Sequence, residues 1–264
     1  MRRTVADLHI HTTRSDGAVE PDELPAVAAD AGLEAVAITD HDRLPPITGP
    51  VRVVDDVRVI AGIELRVEAD RAGRIDLLAY GLDRTSDLAD RLAALQTNRV
   101  ERATMMVDRL ERELDVSVPI EPAPGVGRPH IAAAVASVTE LSEQAVFDRY
   151  IGDGGPCYIA RDIPSFDEGR RLLTEAGGLV VLAHPFRYDD PSAALELLDY
   201  LDGVEVAYPY DDGVDQSEIE GITADDTLVV TGGSDAHSVE AIGSCGLDVP
   251  HYRVVAEHLD IPMV

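Results

Sequence analysis

The chain contains no lysine; all 22 of its basic residues are arginine. That removes any lysine able to bridge two metal ions at a strand end, and with it the metal-dependent hydrolysis of C–N bonds that such a bridge supports. Cysteine is nearly absent too. Cys157 and Cys245 are too few for a disulfide framework and lack the spacing of a metal site. Aromatic residues make up 4% of the chain. Stacking platforms and basic tracks, the means of gripping a long single strand, are therefore scarce, and a small substrate is expected. No stretch approaches a membrane span, and "MRRTVADLHI" lacks the apolar run of a signal peptide. These absences lead us to expect a soluble cytoplasmic protein, with no membrane and no stable protein partner.

Acid, by contrast, is abundant. Fifty Asp and Glu give a formal charge of −28 across 264 residues. The excess runs along the whole chain, which reads as adaptation to a salt-rich cytoplasm where screening makes such charge tolerable. With 45% hydrophobic residues the chain can bury the core of one large domain or two small ones.

Seven β-branched apolar runs recur, at 4–11, 34–42, 57–65, 74–82, 178–185, 203–209 and 228–237. Such near-continuous runs suit strands buried on both faces, and helical patterns lie between many of them. "PDELPAVAADAG" opens on Pro and closes at Gly, and "SFDEGRRLLTEAGG" carries a capping box. The alternation predicts an α/β fold, read as a distorted, closed or nearly closed seven-stranded (β/α)7 barrel. Residues 86–114 break the pattern with apolar positions from Leu88 to Leu114 spaced for one long amphipathic helix. Together with a Pro/Gly-rich loop and two short helices, 86–151 reads as a helical insertion between strands four and five that caps the active site. The barrel domain is then 1–85 and 152–264.

The polar chemistry gathers at the ends of the runs: His9 and His11, His41, Glu64, Asp76, His184, Glu205, then Asp235 and His237. The C-terminal rim is where parallel barrels build active sites. Histidines at i and i+2 of a strand face the same side, so His9 and His11 can grip one cation. Imidazole suits Zn, Mn or Fe, and Asp16, His41, Glu64, His184, Asp235 and His237 supply ligands for more than one ion.

"DLHIHTTRSDG", "ITDHD", "GIE", "GRPHIA", "LAHPFR" and "GSDAH" occur in the order found in the polymerase and histidinol phosphatase (PHP) family of metal-dependent phosphoesterases, and the resemblance covers nearly the whole chain. The "SDG" ending resembles the branch acting on nucleoside monophosphates, 3′,5′-bisphosphates or short RNA 5′ ends. The resemblance implies a three-metal cluster, usually manganese and sometimes iron or zinc. His9, His11, Glu64 and Asp235 would hold one ion, and Asp16, His41 and His237 another. Glu64 would bridge to a third, completed by His184 and by the position of Asp76, where the family normally has histidine. It further implies that His130 meets the substrate as phosphate contact or leaving-group acid. Asp235 is expected to be catalytic as well as ligating.

Arg128, at a helix start that favours anions, and Arg187, with its bidentate fork, are expected phosphate contacts; Arg14 is a weaker one. Asp7, Asp40 and Asp42 should orient imidazoles, with Glu205 a further supporting carboxylate. Tyr188, Tyr208 and Tyr210 could stack a base. No Ser-His-Asp order with a nucleophile elbow, phosphate-cradling glycine loop or CxxC is present. The nucleophile is therefore assigned to a metal-bound hydroxide. The competing expectation is a PHP module that binds metal without catalysis, in a structural or regulatory role.

Overall fold

The computed structural model describes residues 3–210, 214, 221–222 and 227–262. By internal packing the chain divides into two compact units, Met1–Ala89 with Pro164–Val264, and Asp90–Ile163.

The first unit is built on β1 (Ala6–Ile10), β2 (Ala35–Ile38), β3 (Val51–Val54), β4 (Val57–Ala69), β5 (Gly73–Tyr80), β6 (Leu179–Leu182), β7 (Gly203–Ala207) and β8 (Val229–Gly232). They form a sheet in the order β1-β2-β4-β5-β6-β7-β8, with β3 paired to β4. Four pairings are parallel: β1–β2, β2–β4, β6–β7 and β7–β8. Every residue of β1, β2 and β6 is buried, as their unbroken apolar runs require. Helices α1 (Leu24–Asp30), α5 (Phe166–Glu175), α6 (Pro191–Leu195) and α7 (Val249–His258) belong to this unit. Ser165 caps α5, its Oγ accepting from Glu168 N–H at 3.2 Å.

Two features depart from a seven-stranded parallel pattern. β3 and β4 form a hairpin whose turn residues, Asp55 and Asp56, both have positive φ (47° and 67°), as a tight two-residue turn demands. β4 and β5 are also antiparallel, because the three residues between them are far too few for a parallel crossover. β5–β6 is antiparallel in turn. The chain's direction along β5 is therefore reversed, and its functional end is its beginning, at Asp76. Past β8, Ala236 bridges β1: its N–H donates to His9 O at 3.2 Å, and His11 N–H donates to Ala236 O at 3.0 Å.

The second unit holds most of α2 (Ser86–Leu114), then α3 (Arg128–Val138), α4 (Glu143–Val146) and a π-helical turn at Phe147–Ile151. Its own core includes Met106, Leu110, Ile131, Val135, Val146 and Ile151. Residues 152–162 belong with these helices: Arg102 Nε donates to Ile159 O at 2.6 Å and Arg109 Nη1 to Tyr158 O at 3.0 Å.

Candidate metal centre

Five imidazoles crowd the site end of the sheet. His11 lies 4.3 Å from His237 and 4.6 Å from His41 between ring centroids, and His9 lies 5.8 Å from His184. His9 lies on β1 and His11 directly follows it, while Glu64 comes from the middle of β4. His184 and Asp235 follow β6 and β8 with left-handed φ of 27° and 51°, conformations that non-glycine residues hold only where surrounding contacts enforce them. Two glycines permit the close approach. A Cβ on Gly233 would lie 2.3 Å from the His9 backbone, and one on Gly17 would lie 2.0 Å from His11 O. Gly17 lets the "SDG" turn fold back and bring Asp16 to His11, His41 and His237.

The donors fall into three groups, each with ligand atoms within 4.8 Å of one another: His11, Asp16, His41 and His237; His9, His11 and Asp235; His9, Glu64 and His184. Glu64 is the hub, with Oε2 2.7 Å from His41 Nδ1 and Oε1 3.0 Å from His184 Nε2. Asp235 Oδ1 is 3.1 Å from His11 Nε2 and 3.4 Å from His9 Nε2. His9 Nε2, His11 Nε2, Glu64 Oε2 and His184 Nδ1 are buried without a hydrogen-bond partner. Polar atoms aimed at one another in this way are expensive unless something binds them, and nitrogen with carboxylate oxygen is the donor set of a first-row transition metal. The residues fit metal ions.

The local electrostatics agree. Burial disfavours an ionised Glu64, yet His41 and His9 beside it hold its carboxyl well below the usual range. Burial likewise opposes charge on His41, but Glu64 and Asp16 push it up to about 9. His9 is raised for the same reason, by Glu205 and Glu64 against burial. In His11 burial prevails and its pKa is lowered. A pocket that draws protons onto buried imidazoles against desolvation draws cations.

The supporting contacts correct one expectation. Asp7 and Asp40 do not orient rings. Asp7 accepts from Ser234 N–H (2.9 Å), Ser234 Oγ–H (2.6 Å) and Gly243 N–H (2.8 Å), while Asp40 accepts from Thr12 N–H (2.8 Å), Thr12 Oγ1–H (2.7 Å) and Ser15 Oγ–H (2.6 Å). They brace the loops that carry the ligands, because an aspartate at a strand end reaches backbone and hydroxyl donors before it reaches a ring. The ring is oriented by Glu205, fully buried, whose oxygens lie 3.0 and 3.2 Å from His9 Nδ1 and which also accepts His184 N–H at 3.0 Å.

Of the expected phosphate contacts, Arg187 reaches the site: its Nη1 donates to Tyr208 OH at 2.7 Å and to Asp235 Oδ2 at 3.2 Å. It lines a cavity of about 320 Å³ with His41, Glu64, Arg66, Asp76 and His184. Arg14 is bonded to Leu44 O at 3.5 Å. Arg128 and His130 belong to the helical unit. Arg128 Nη1 donates to Asp153 at 2.7 Å, and exposed His130 accepts Gly127 N–H on Nδ1 at 3.1 Å, leaving its Nε2 as the donor. Tyr188 OH is committed to the backbone, donating to Ala183 O at 3.0 Å and accepting from Asp76 N–H at 2.9 Å, and the residue lines the same cavity. Tyr208 donates to Asp235 Oδ2 at 2.8 Å, and Tyr210 packs beside it.

Asp76 is brought to the cluster, 3.9 Å from His184, but its carboxylate is gripped by Arg66. Arg66 was not foreseen. Its signal is cross-strand register, Arg66 opposite Asp76, legible once 57–80 is read as a hairpin instead of two parallel strands.

A PHP domain family model matches residues 7–113. The chain is 31% identical to phosphoribosyl 1,2-cyclic phosphate 1,2-diphosphodiesterase of Eggerthella lenta, over 96% of this chain and all of that protein. It is 27% identical to the 5′-3′ exoribonuclease Rnm of Escherichia coli, over 88% of this chain and 85% of that one. To the 3′,5′-nucleoside bisphosphate phosphatase of Chromobacterium violaceum it is 29% identical, over 93% and 90%. With the donor residues in place and full-length relatives of this kind, the chain belongs to the PHP family.

Proposed function

We propose that this PHP protein, a metal-dependent phosphoesterase, hydrolyses phosphate esters of nucleotides: a monophosphate, a 3′,5′-bisphosphate, or the 5′ end of a short RNA. Water attacks phosphorus, the P–O bond to the leaving group breaks, and an alcohol and a phosphate are released. The observation that carries this is the set of three donor groups joined through His9 and His11, whose members His41, Glu64, His184, Asp235 and His237 line one cavity with Arg187.

Metal ions held there supply charge neutralisation and a water acidic enough to attack near neutral pH. His9, His11, Glu64 and Asp235 would hold one, and Asp16, His41 and His237 another, with manganese the proposed ion. Asp235 would ligate through its free oxygen, because Tyr208 and Arg187 hold Oδ2. Arg187 keeps a second edge of its guanidinium for a phosphoryl oxygen. We place His130 Nε2 as the proton donor to the leaving group and Arg128 as an anion contact at the start of α3; the support is the sequence motif and the favourable field of a helix N-terminus. The bridge from Ala236 to β1 favours closure of the sheet into the family's distorted barrel, and the acidic, lysine-free composition favours a cytoplasm rich in salt.

The test is phosphate release in high salt with Mn²⁺ from AMP, adenosine 3′,5′-bisphosphate, a 5′-phosphorylated short RNA and a ribose cyclic phosphate, beside His9→Ala. Release from a nucleotide, lost in His9→Ala, is expected. A protein that loads metal but turns over none of these refutes the reading and returns the non-catalytic module.

A further inference from the structure

The third donor group is short of ligands. His9 can offer only Nε2, because Nδ1 is committed to Glu205 at 3.0 Å. That same Nε2 lies 3.4 Å from Asp235, within the group that also contains His11. With His9 assigned there, the third group keeps Glu64 and His184. The residue that would complete it is Asp76, which is 1% exposed, so its charge needs a partner. The partner it has is Arg66: Nε donates to Oδ1 at 2.8 Å and Nη2 donates to Oδ2, a fork on both carboxylate oxygens.

Arg66 is Asp76's opposite number in the β4–β5 register, so the pairing is built into the hairpin. Its side chain is 37% exposed and lines the cavity that also contains Glu64, His184 and Arg187. A guanidinium stays charged at any working pH. A divalent ion ligated by Asp76 would have to sit against this fixed cation and share the same two oxygens. Positive charge is already supplied at that corner by the protein itself. Among the described residues, no hydrogen bond uses Arg66 Nη1.

We infer that this chain holds two metal ions where the family pattern has three, and that the Arg66 guanidinium, fixed by Asp76, stands in for the third and binds an oxygen of the substrate phosphate. The second half rests on the phosphoesterase reading; the first does not. The exchange is chemically distinct from an ion, because a guanidinium offers directed N–H donors and no open coordination position. It holds and neutralises a phosphate oxygen but activates no water, so the nucleophile must come from the two-ion side of the cavity.

The experiment is metal counting on the full chain, loaded with Mn²⁺ and freed of loosely held ions, by plasma emission. Two ions per chain are expected in the unaltered protein. Arg66→Met/Asp76→His, which removes the guanidinium and restores an imidazole, should carry three. Calorimetry with inorganic phosphate on the Mn²⁺-loaded protein should show roughly tenfold weaker binding in Arg66→Gln, with Arg66→Lys recovering part of it, since one point charge replaces a fork. Three ions in the unaltered protein overturn the inference. A double variant that still counts two overturns the claim that Arg66 excludes the third, and unchanged phosphate affinity in Arg66→Gln overturns its substrate role. Two ions and Arg66-dependent phosphate binding in a protein that cleaves no ester would leave the two-ion half and Arg66 as a phosphate contact standing, and refute the phosphoesterase reading and with it the substrate role.

Discussion

The candidate metal centre has an inner and an outer wall, and they are built differently. On the inner wall His9, Glu64 and His184 are 0%, 2% and 6% exposed, come from strands or the residues directly after them, and are braced by buried Glu205. On the outer wall Asp16 and His237 are 32% and 43% exposed and stand on turns. The inner donors are fixed before any ion arrives; the outer ones have room to give way. Preorganisation on one side and access on the other suit a site that must hold its ions through turnover while admitting a charged substrate.

The largest break in that comparison should come from His9→Ala. Two of the three donor groups lose a member, so metal loading should collapse and phosphate release should fall by about 10³-fold or more. His237→Ala removes one exposed donor and should cost one ion, with a loss of roughly 10- to 100-fold in its affinity. Equal losses from the two variants would mean the walls do not differ. Glu205→Gln comes next. It keeps the shape but removes the charge that orients His9, and metal affinity should drop roughly 10- to 100-fold with the fold intact. Unchanged loading would show that β1 packing alone sets the ring. Gly233→Ala acts on the scaffold between the walls: a methyl 2.3 Å from the His9 backbone must push β8 off β1, costing about 1–3 kcal/mol in a denaturant titration.

The same contrast explains what could be read from sequence. The inner and outer donors were legible because chemistry at strand ends leaves a periodic mark: His9 and His11 two apart, Glu64 and His184 closing apolar runs. The long helix α2 was legible from its apolar stripe, and its observed span matches the expectation. What escaped was pairing. Seven apolar runs look alike whether neighbours run parallel or antiparallel, and "EADRAGRID" shows no glycine-centred two-residue turn to mark the β4–β5 hairpin. With strand direction went register, and with register the Arg66–Asp76 fork. β3 was lost for a related reason: "VRVV" is half exposed and too short to stand out beside buried strands. Supporting contacts such as Tyr208 on Asp235 link residues 27 apart in sequence and leave no local trace.

The smallest effect expected is also the one that separates the walls most finely. Before metal binds, His41, at the junction of the walls, has a pKa of about 9 against an ordinary 6.5, with burial opposing and Glu64 favouring its charge. Because that value lies above neutral pH, the proton is on in the ion-free protein near neutrality, and it must leave for the nitrogen to ligate. His11, whose pKa burial lowers, is already neutral and has none to give. Mn²⁺ binding near neutral pH should therefore release protons, fewer as pH rises through about 9, and apparent affinity should climb over that interval by up to roughly tenfold per pH unit for each proton displaced. Calorimetry in two buffers of different ionisation enthalpy measures the release directly. His41→Ala should lower the count by about one proton, while His11→Ala should leave it unchanged although it removes a ligand. If both variants lower it alike, His41 and His11 share one electrostatic environment, and the difference across the site is one of exposure alone.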